Sequence, residues 1–186
     1  SPLHSYSNAG TYNVGLISTS DYGCADTLIK NVYLRPHPVT NFSINNNSQC
    51  LRGNSYIFSN GTTLSSGTFT DLWSFGDNIT TTTSSPSHIY DVAGTYIVKL
   101  VTTSSFGCKD STTSTVYVRP HPITGFIVDD SSQCLAGNLF SFTNNTSISS
   151  GSYTTLWKFG DNSTSSSTSP LHNYSNSGTF SPRLIT

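Results

Sequence analysis

The chain has 186 residues, a formal net charge of −1 and only 9% charged residues, against roughly 25% in an ordinary soluble domain. Its acids are all Asp, and Ser, Thr, Asn and Gly supply the polarity. This near-neutral balance argues against nucleic acid or an anionic membrane as partner. The composition is that of a secreted repeat protein more than of a cytosolic enzyme. With 34% apolar and 12% aromatic residues the chain has the material for a packed core, which a disordered segment lacks. No run approaches the ~18 apolar residues of a membrane helix. No signal peptide is present, and an export signal is expected outside this stretch.

In chain order, the string Ser1-Pro2-Leu3-His4 opens the sequence and returns in kind at Ser85–His88 and Ser169–His172, 84 residues apart each time. Gly10-Thr11-Tyr12 returns as Gly94-Thr95-Tyr96 and Gly178-Thr179-Phe180, and Gly23-Cys24 as Gly107-Cys108. Arg35-Pro36-His37-Pro38 returns as Arg119-Pro120-His121-Pro122, and Gln49-Cys50-Leu51 as Gln133-Cys134-Leu135. Trp73-Ser74-Phe75-Gly76-Asp77-Asn78 returns as Trp157-Lys158-Phe159-Gly160-Asp161-Asn162. About half the aligned positions are identical, with no break in register. A period of 84 residues is too long for a solenoid unit and suits one small domain per repeat. The expected division is 1–35, the C-terminal part of a repeat; 36–119, a complete repeat; and 120–186, a repeat lacking its last strand.

Within 36–119 short alternating segments are separated by turn residues. Phe42 and Ile44 share one face of a first strand, and Tyr56 and Phe58 mark a second after the turn at Arg52-Gly53-Asn54. Trp73 and Phe75 mark a third. The Thr/Ser stretch 80–85 reads as a polar edge strand or loop. Tyr96, Val98 and Leu100 face inward on the longest strand, and Val116 and Val118 on the last. About seven strands per repeat and no helical period predict an all-β, antiparallel two-sheet sandwich.

Three motifs in order carry a family resemblance: Trp73–Asn78, then Pro86-x-His88-x-Tyr90, then Gly94-Thr95-Tyr96-x-Val98-x-Leu100. Together they resemble the PKD signature, a WDFGDG-like turn followed by HxY and GTYxVxL. The resemblance covers the complete repeat and both partial ones as far as they run. It implies tandem immunoglobulin-like (PKD-like) sandwiches, with Trp73, Phe75, Gly76, Asp77, His88, Tyr90, Tyr96, Trp157 and Asp161 in structural roles. The added Gln-Cys and Gly-Cys pairs are similar to those of PKD-like repeats in large surface proteins of Bacteroidetes. Two positions depart from the pattern. The final Gly of the turn is Asn78 and Asn162; Asn tolerates left-handed backbone better than most residues. Pro182 replaces the counterpart of Val98, and proline removes a ladder donor there.

Little in the sequence carries chemistry. Asp77 and Asp161 read as carboxylates that accept backbone N–H bonds in a tight turn. The other repeated acid, Asp26/Asp110, lies on a turn at the opposite pole, so no carboxylate pair at the ~5–9.5 Å of a glycosidase is expected. His4, His88 and His172 are one position repeated, as are His37 and His121. Their copies sit a domain apart, without CxxC or HxxxH spacing, so no metal is expected. His88 is expected beside Tyr90, and His37 in the interdomain linker. No nucleophile elbow, phosphate loop or dinucleotide fingerprint is present. The expectation is no catalysis and no cofactor.

Cys24, Cys50, Cys108 and Cys134 are two repeat positions, each seen twice, and in a secreted chain they suggest disulfides. The parsimonious pairing is Cys50–Cys108 within one domain, with Cys24 and Cys134 bonded to residues outside this stretch. Strand order points instead to a bond between Cys50 and the Gly-Cys of the next repeat, which would staple neighbours. Free thiols are the third reading. Sequons occur at Asn60, Asn78, Asn144, Asn162 and Asn173. Thr27 and Ser111, each after Asp, resemble bacterial O-glycosylation sites. Taken together, the sequence reads as a structural repeat of an extracellular filament or adhesin stalk, with neighbouring repeats as partners, self-assembly into fibres and glycans on its surface. The alternative is a carbohydrate- or protein-binding accessory module of a secreted hydrolase.

Overall fold

The computed structural model describes residues 2–186, and every regular element among them is a β-strand. Two compact units are present. One comprises Ser1–Gln49, Asn54–Asp91 and Thr95–Val118; the other comprises Cys50–Gly53, Val92–Gly94 and Arg119–Thr186.

The chain opens with a hairpin of two strands, β1 (Gly10–Thr19) and β2 (Ala25–Leu34), paired from Gly10↔Leu34 to Thr19↔Ala25. Its turn closes through Ser20 N–H to the Cys24 carbonyl, with Gly23 at φ 79°. Both faces of this hairpin are largely exposed.

The complete sandwich follows, built from β3 (Phe42–Ile44), β4 (Ser48–Cys50), β5 (Tyr56–Asn60), β6 (Phe69–Ser74), β7 (Thr80–Thr81), β8 (Ser87–His88), β9 (Gly94–Ser104) and β10 (Lys109–Arg119). One sheet has the order β4-β10-β9-β6-β7, the other β3-β5-β8. Eight strands stand where about seven were expected. The additional one is β4, at the edge of the larger sheet. Tyr117 N–H bonds to the Asn47 carbonyl and Leu51 N–H to the Arg119 carbonyl, so β4 runs parallel to β10. The Thr/Ser stretch contributes only the two-residue edge strand β7.

Strict alternation decides which side chains form the core. On β9 Val98, Leu100, Thr102 and Ser104 point inward, and on β10 Val116 and Val118 do. Tyr56, Phe58, Trp73, Phe75 and Tyr90 fill the space between the sheets, while Tyr96 is half-buried at its rim. The ring of Phe58 lies 5.5 Å from Trp73 and 5.4 Å from Phe75. Truncating one such buried aromatic costs about 3–5 kcal/mol.

The last third repeats this order in β11 (Phe126–Val128), β12 (Phe140–Asn144), β13 (Leu156–Lys158), β14 (Thr164–Ser165), β15 (Leu171–His172) and β16 (Arg183–Ile185). The sheets are β11-β12-β15 and β14-β13-β16 around Phe142, Trp157, Phe159, Tyr174 and Leu184. Residues 132–134 form no strand, although they match β4. The reason is pairing: β4 exists on β10, and residues 120–186 hold no counterpart of β10. β16 begins only after Pro182 and spans three residues, against eleven in β9.

Candidate functional site

The three sequence motifs converge on one cluster. β6 runs into a tight turn in which Phe75 N–H bonds to the Ile79 carbonyl and Asp77 Oδ1 accepts the Ile79 N–H at 3.1 Å. Gly76 takes φ +86°, and a Cβ there would stand 2.9 Å from the Ile97 carbonyl oxygen. Asn78 takes the left-handed conformation at φ 73°, as Asn162 does at 70°. The other carboxylate oxygen, Asp77 Oδ2, lies 2.6 Å from His88 Nε2.

That contact joins the sheets, because Asp77 hangs from β6 and His88 sits on β8. The His88 ring stacks on Phe75 at 4.1 Å and meets Tyr90 edge-on at 4.6 Å. Tyr90 OH donates to the Phe75 carbonyl at 2.7 Å. The Tyr90 backbone is clamped by Asn54, whose Nδ2 donates to the Tyr90 carbonyl and whose Oδ1 accepts the Tyr90 N–H. Burial, with Asp77 beside it, pushes the Tyr90 phenol upward, so it stays a donor. Residues Asp161, His172, Tyr174, Asn138 and Phe159 reproduce the arrangement, with Asp161–His172 at 2.9 Å.

The third copy adds Ser163, whose hydroxyl donates to Asp161 and lies 3.4 Å from His172 Nε2. A Ser, a His and an Asp in contact suggest a triad, but the geometry does not form one. Ser163 and Asp161 approach the same imidazole nitrogen, whereas a relay uses two different ones. The complete repeat has Ile79 at that position. Ser163, above all, then its own N–H and His172, hold the Asp161 carboxyl down at about 2.

Asp110 lies at the turn end of β10, on the order of 20 Å from Asp77 along the strands. Its Oδ2 accepts the Thr40 N–H at 2.7 Å, and this bond and one from the Ser111 amide lower its carboxyl below the usual range. The linker arrives there with Pro36, Pro38 and Thr40 buried and His37 exposed. The Arg35 guanidinium lies 5.2 Å over the Phe106 ring. Among the described residues no three His, Cys, Asp or Glu side chains gather as a metal site would require.

The cysteines correct one expectation. All four are free thiols; Cys108 is half-buried and Cys24, Cys50 and Cys134 are exposed. The in-domain pair Cys50–Cys108 is not formed. Leu51, next to Cys50, bonds to Arg119 at one end of the eleven-residue β10, and Cys108 precedes its other end. The two are separated by on the order of 30 Å of strand, while a disulfide needs Cα atoms within about 7 Å.

Two sequons are also turned inward. Asn60 Nδ2 donates to Asp71 Oδ2 at 2.6 Å, and Asn144 Nδ2 is buried. The nitrogen that would carry a glycan is occupied or enclosed in both, so neither Asn60 nor Asn144 presents an acceptor. Asn78, Asn162, Asn173, Thr27 and Ser111 are exposed.

Sequence reasoning missed Asp71. It is buried, takes Asn60 on one oxygen and the Thr102 hydroxyl on the other at 2.8 Å, and ties β5 to β6 and β9. Nothing flagged it, because its counterpart in the third copy is Thr155. The Asp77–His88 contact was missed as a contact. Its signal was available: an Asp and a His recur eleven residues apart in both copies.

Comparison with known proteins agrees with the motifs. The PKD domain family model matches residues 36–120. Over 53 residues the chain is 40% identical to collagenase ColA of Bacillus cereus, a match covering 28% of this chain and 6% of the collagenase. Among solved structures, the PKD1 domain of Vibrio anguillarum Epp is 30% identical, with 44% of this chain and 93% of that chain covered and a TM-score of 0.39. The PKD1 domain of the Vibrio cholerae metalloprotease PrtV is 31% identical, with 44% and 96% covered and a TM-score of 0.40. A carbohydrate-binding module of the β-sandwich superfamily is 17% identical, with 80% and 83% covered and a TM-score of 0.41. No helix of the described residues is long and apolar enough to cross a membrane. With its WSFGDN turn, its His88-x-Tyr90 clamp and its Gly94-Thr95-Tyr96 strand gathered in one inter-sheet cluster, the segment 36–120 belongs to the PKD domain family.

Proposed function

We propose that this chain is a non-catalytic spacer of an extracellular protein, a run of PKD-like repeats divided at 1–35, 36–119 and 120–186 that forms part of a filament or adhesin stalk. One observation carries the reading: the linker before the complete sandwich is laid onto it. Pro36, Pro38 and Thr40 face inward, and the Thr40 N–H is held by Asp110. Prolines fix two backbone angles of the four-residue link, and the hydrogen bond fixes its end. The polar clusters point the same way, since each is closed on its own partners and leaves no group aimed at a substrate. Thr27 and Ser111 are the surface positions proposed for glycans.

Electron microscopy of the native material tests this. Filaments with an axial repeat of roughly 30–40 Å per domain are expected, from strands of about ten residues at ~3.3 Å each. Beads with no fixed angle between neighbours would remove the stalk reading. They would leave the accessory-module reading, for which the matched stretch of a collagenase is the support.

A further inference from the structure

A buried carboxylate bridges the two sheets of the complete sandwich. Asn60 lies on β5 in one sheet; Asp71 on β6 and Thr102 on β9 lie in the other. Asp71 is buried, Thr102 is wholly enclosed, and Asn60 is half-buried. Asp71 Oδ1 accepts the Thr102 hydroxyl at 2.8 Å, while Oδ2 accepts Asn60 Nδ2 at 2.6 Å. The Asn60 carbonyl oxygen accepts the Thr62 N–H at 2.9 Å. These contacts fix which way the amide faces. A hydroxyl, a base beside it, an amide, and a donor on that amide's oxygen are the parts of an acyl transfer.

We propose that Thr102 and Asn60 become joined by an ester bond between the sheets, with Asp71 as the base. The Thr102 oxygen attacks Cγ of Asn60 while its proton passes to Asp71. The Thr62 N–H stabilises the charge that develops on the Asn60 oxygen. Asp71 then hands the proton to Nδ2, the Cγ–Nδ2 bond breaks, and ammonia leaves. A hydroxyl and an amide have become an ester and ammonia, Asp71 ends as it began, and nothing is oxidised or reduced. The hydrogen-bonded arrangement described above is the state before reaction. The fold holds the reactants together, which supplies the effective concentration a free alcohol lacks. Enclosure of Thr102 keeps water from the product, and the open side of Asn60 releases ammonia to solvent. A rival ring closure would use the nitrogen of Gly61, but its N–H is given to the Asn41 carbonyl at 2.8 Å. The last third lacks the base. Thr155 stands where Asp71 does, Asn144 Nδ2 has no acceptor, and the Thr186 hydroxyl lies 2.6 Å from that of Thr124 instead.

Mass spectrometry of the folded 186-residue chain, incubated at neutral pH over several days, tests the proposal. A species lighter by about 17 Da, the mass of one ammonia, is expected to accumulate. Trypsin cuts after Arg52, Lys99 and Lys109, so this species should yield one branched peptide joining 53–99 to 100–109. Ring closure at Asn60-Gly61 gives the same mass loss but leaves those peptides separate. Thr102→Val keeps the shape and removes the nucleophile; Asp71→Asn keeps polar partners and removes the base. Both should lose the branched peptide, with tryptophan fluorescence reporting that each has folded. A wild-type chain that never yields the branched peptide overturns the proposal, and so does a branched peptide from Thr102→Val or Asp71→Asn. Neither result touches the linker on which the spacer reading rests.

Discussion

The backbone amide of Thr40 donates a 2.7 Å hydrogen bond to Oδ2 of Asp110, seventy residues further along the chain. It anchors the incoming linker to the β9–β10 turn. In Asp110→Ala, amide exchange at Thr40 is expected to speed up by about tenfold or more, because the local opening is no longer opposed. Exchange at buried Leu100 should stay unchanged. Proton exchange followed by NMR separates the two.

Asp71 is expected to be the most sensitive polar position of the complete sandwich. In Asp71→Ala the Asn60 amide and the Thr102 hydroxyl lose a shared acceptor. Hydrogen bonds to charged groups contribute roughly 1.5–3 kcal/mol, so a loss of that size is expected in urea unfolding. The reverse change in the third copy, Thr155→Asp, gives buried Asn144 Nδ2 a partner. It should raise the stability of residues 120–186.

Much of this was legible before any coordinates. Val98, Leu100, Val116 and Val118 announce their burial by period two, and the Gly76-Asp77-Asn78 turn by its residue types. What escaped is what depends on distance across the chain. Asp71 has no repeated partner in sequence, so composition alone cannot separate a buried carboxylate from a surface one. β4 escaped because three residues without a hydrophobic pattern become a strand only when β10 lies beside them. The cysteines were legible in part: counting thiols suggested Cys50–Cys108, strand order spoke against it, and the path of β10 puts the two at opposite ends of one strand.

The turn itself should separate two substitutions sharply. Gly76→Ala meets both a positive φ and the Ile97 carbonyl at 2.9 Å. A loss of roughly 2–4 kcal/mol is expected from strain plus overlap. Asn78→Gly, at φ 73°, should be neutral or stabilising by up to about 1 kcal/mol. Thermal unfolding of both variants checks the pair.

Acid stability should depend on Ser163. The Asp161 carboxyl is held at about 2 in the fold, against ~3.9 in an unfolded chain. A depressed carboxylate contributes stability above the unfolded value and loses it as pH falls toward the folded one. The contribution is thus complete above about pH 4 and gone near pH 2. Removing the first cause of the shift, in Ser163→Ala, should move the acid midpoint of residues 120–186 to higher pH. Trp157 fluorescence reports it.

For the thiols, digestion without reductant should yield no Cys50–Cys108 peptide. Iodoacetamide should modify Cys24, Cys50 and Cys134 before the half-buried Cys108.

The parallel alignment of β4 with β10 has a mechanical consequence. The chain enters the complete sandwich at Thr40, beside one end of β10, and leaves from the other end at Arg119. Tension along the polypeptide therefore drags β4 and β10 in opposite directions along their shared axis. Their hydrogen bonds are loaded side by side in shear and must yield together, where a strand pulled sideways would unzip them one at a time. The three-residue edge strand, which follows β3 in the chain, is thus placed where a pulled domain resists in shear.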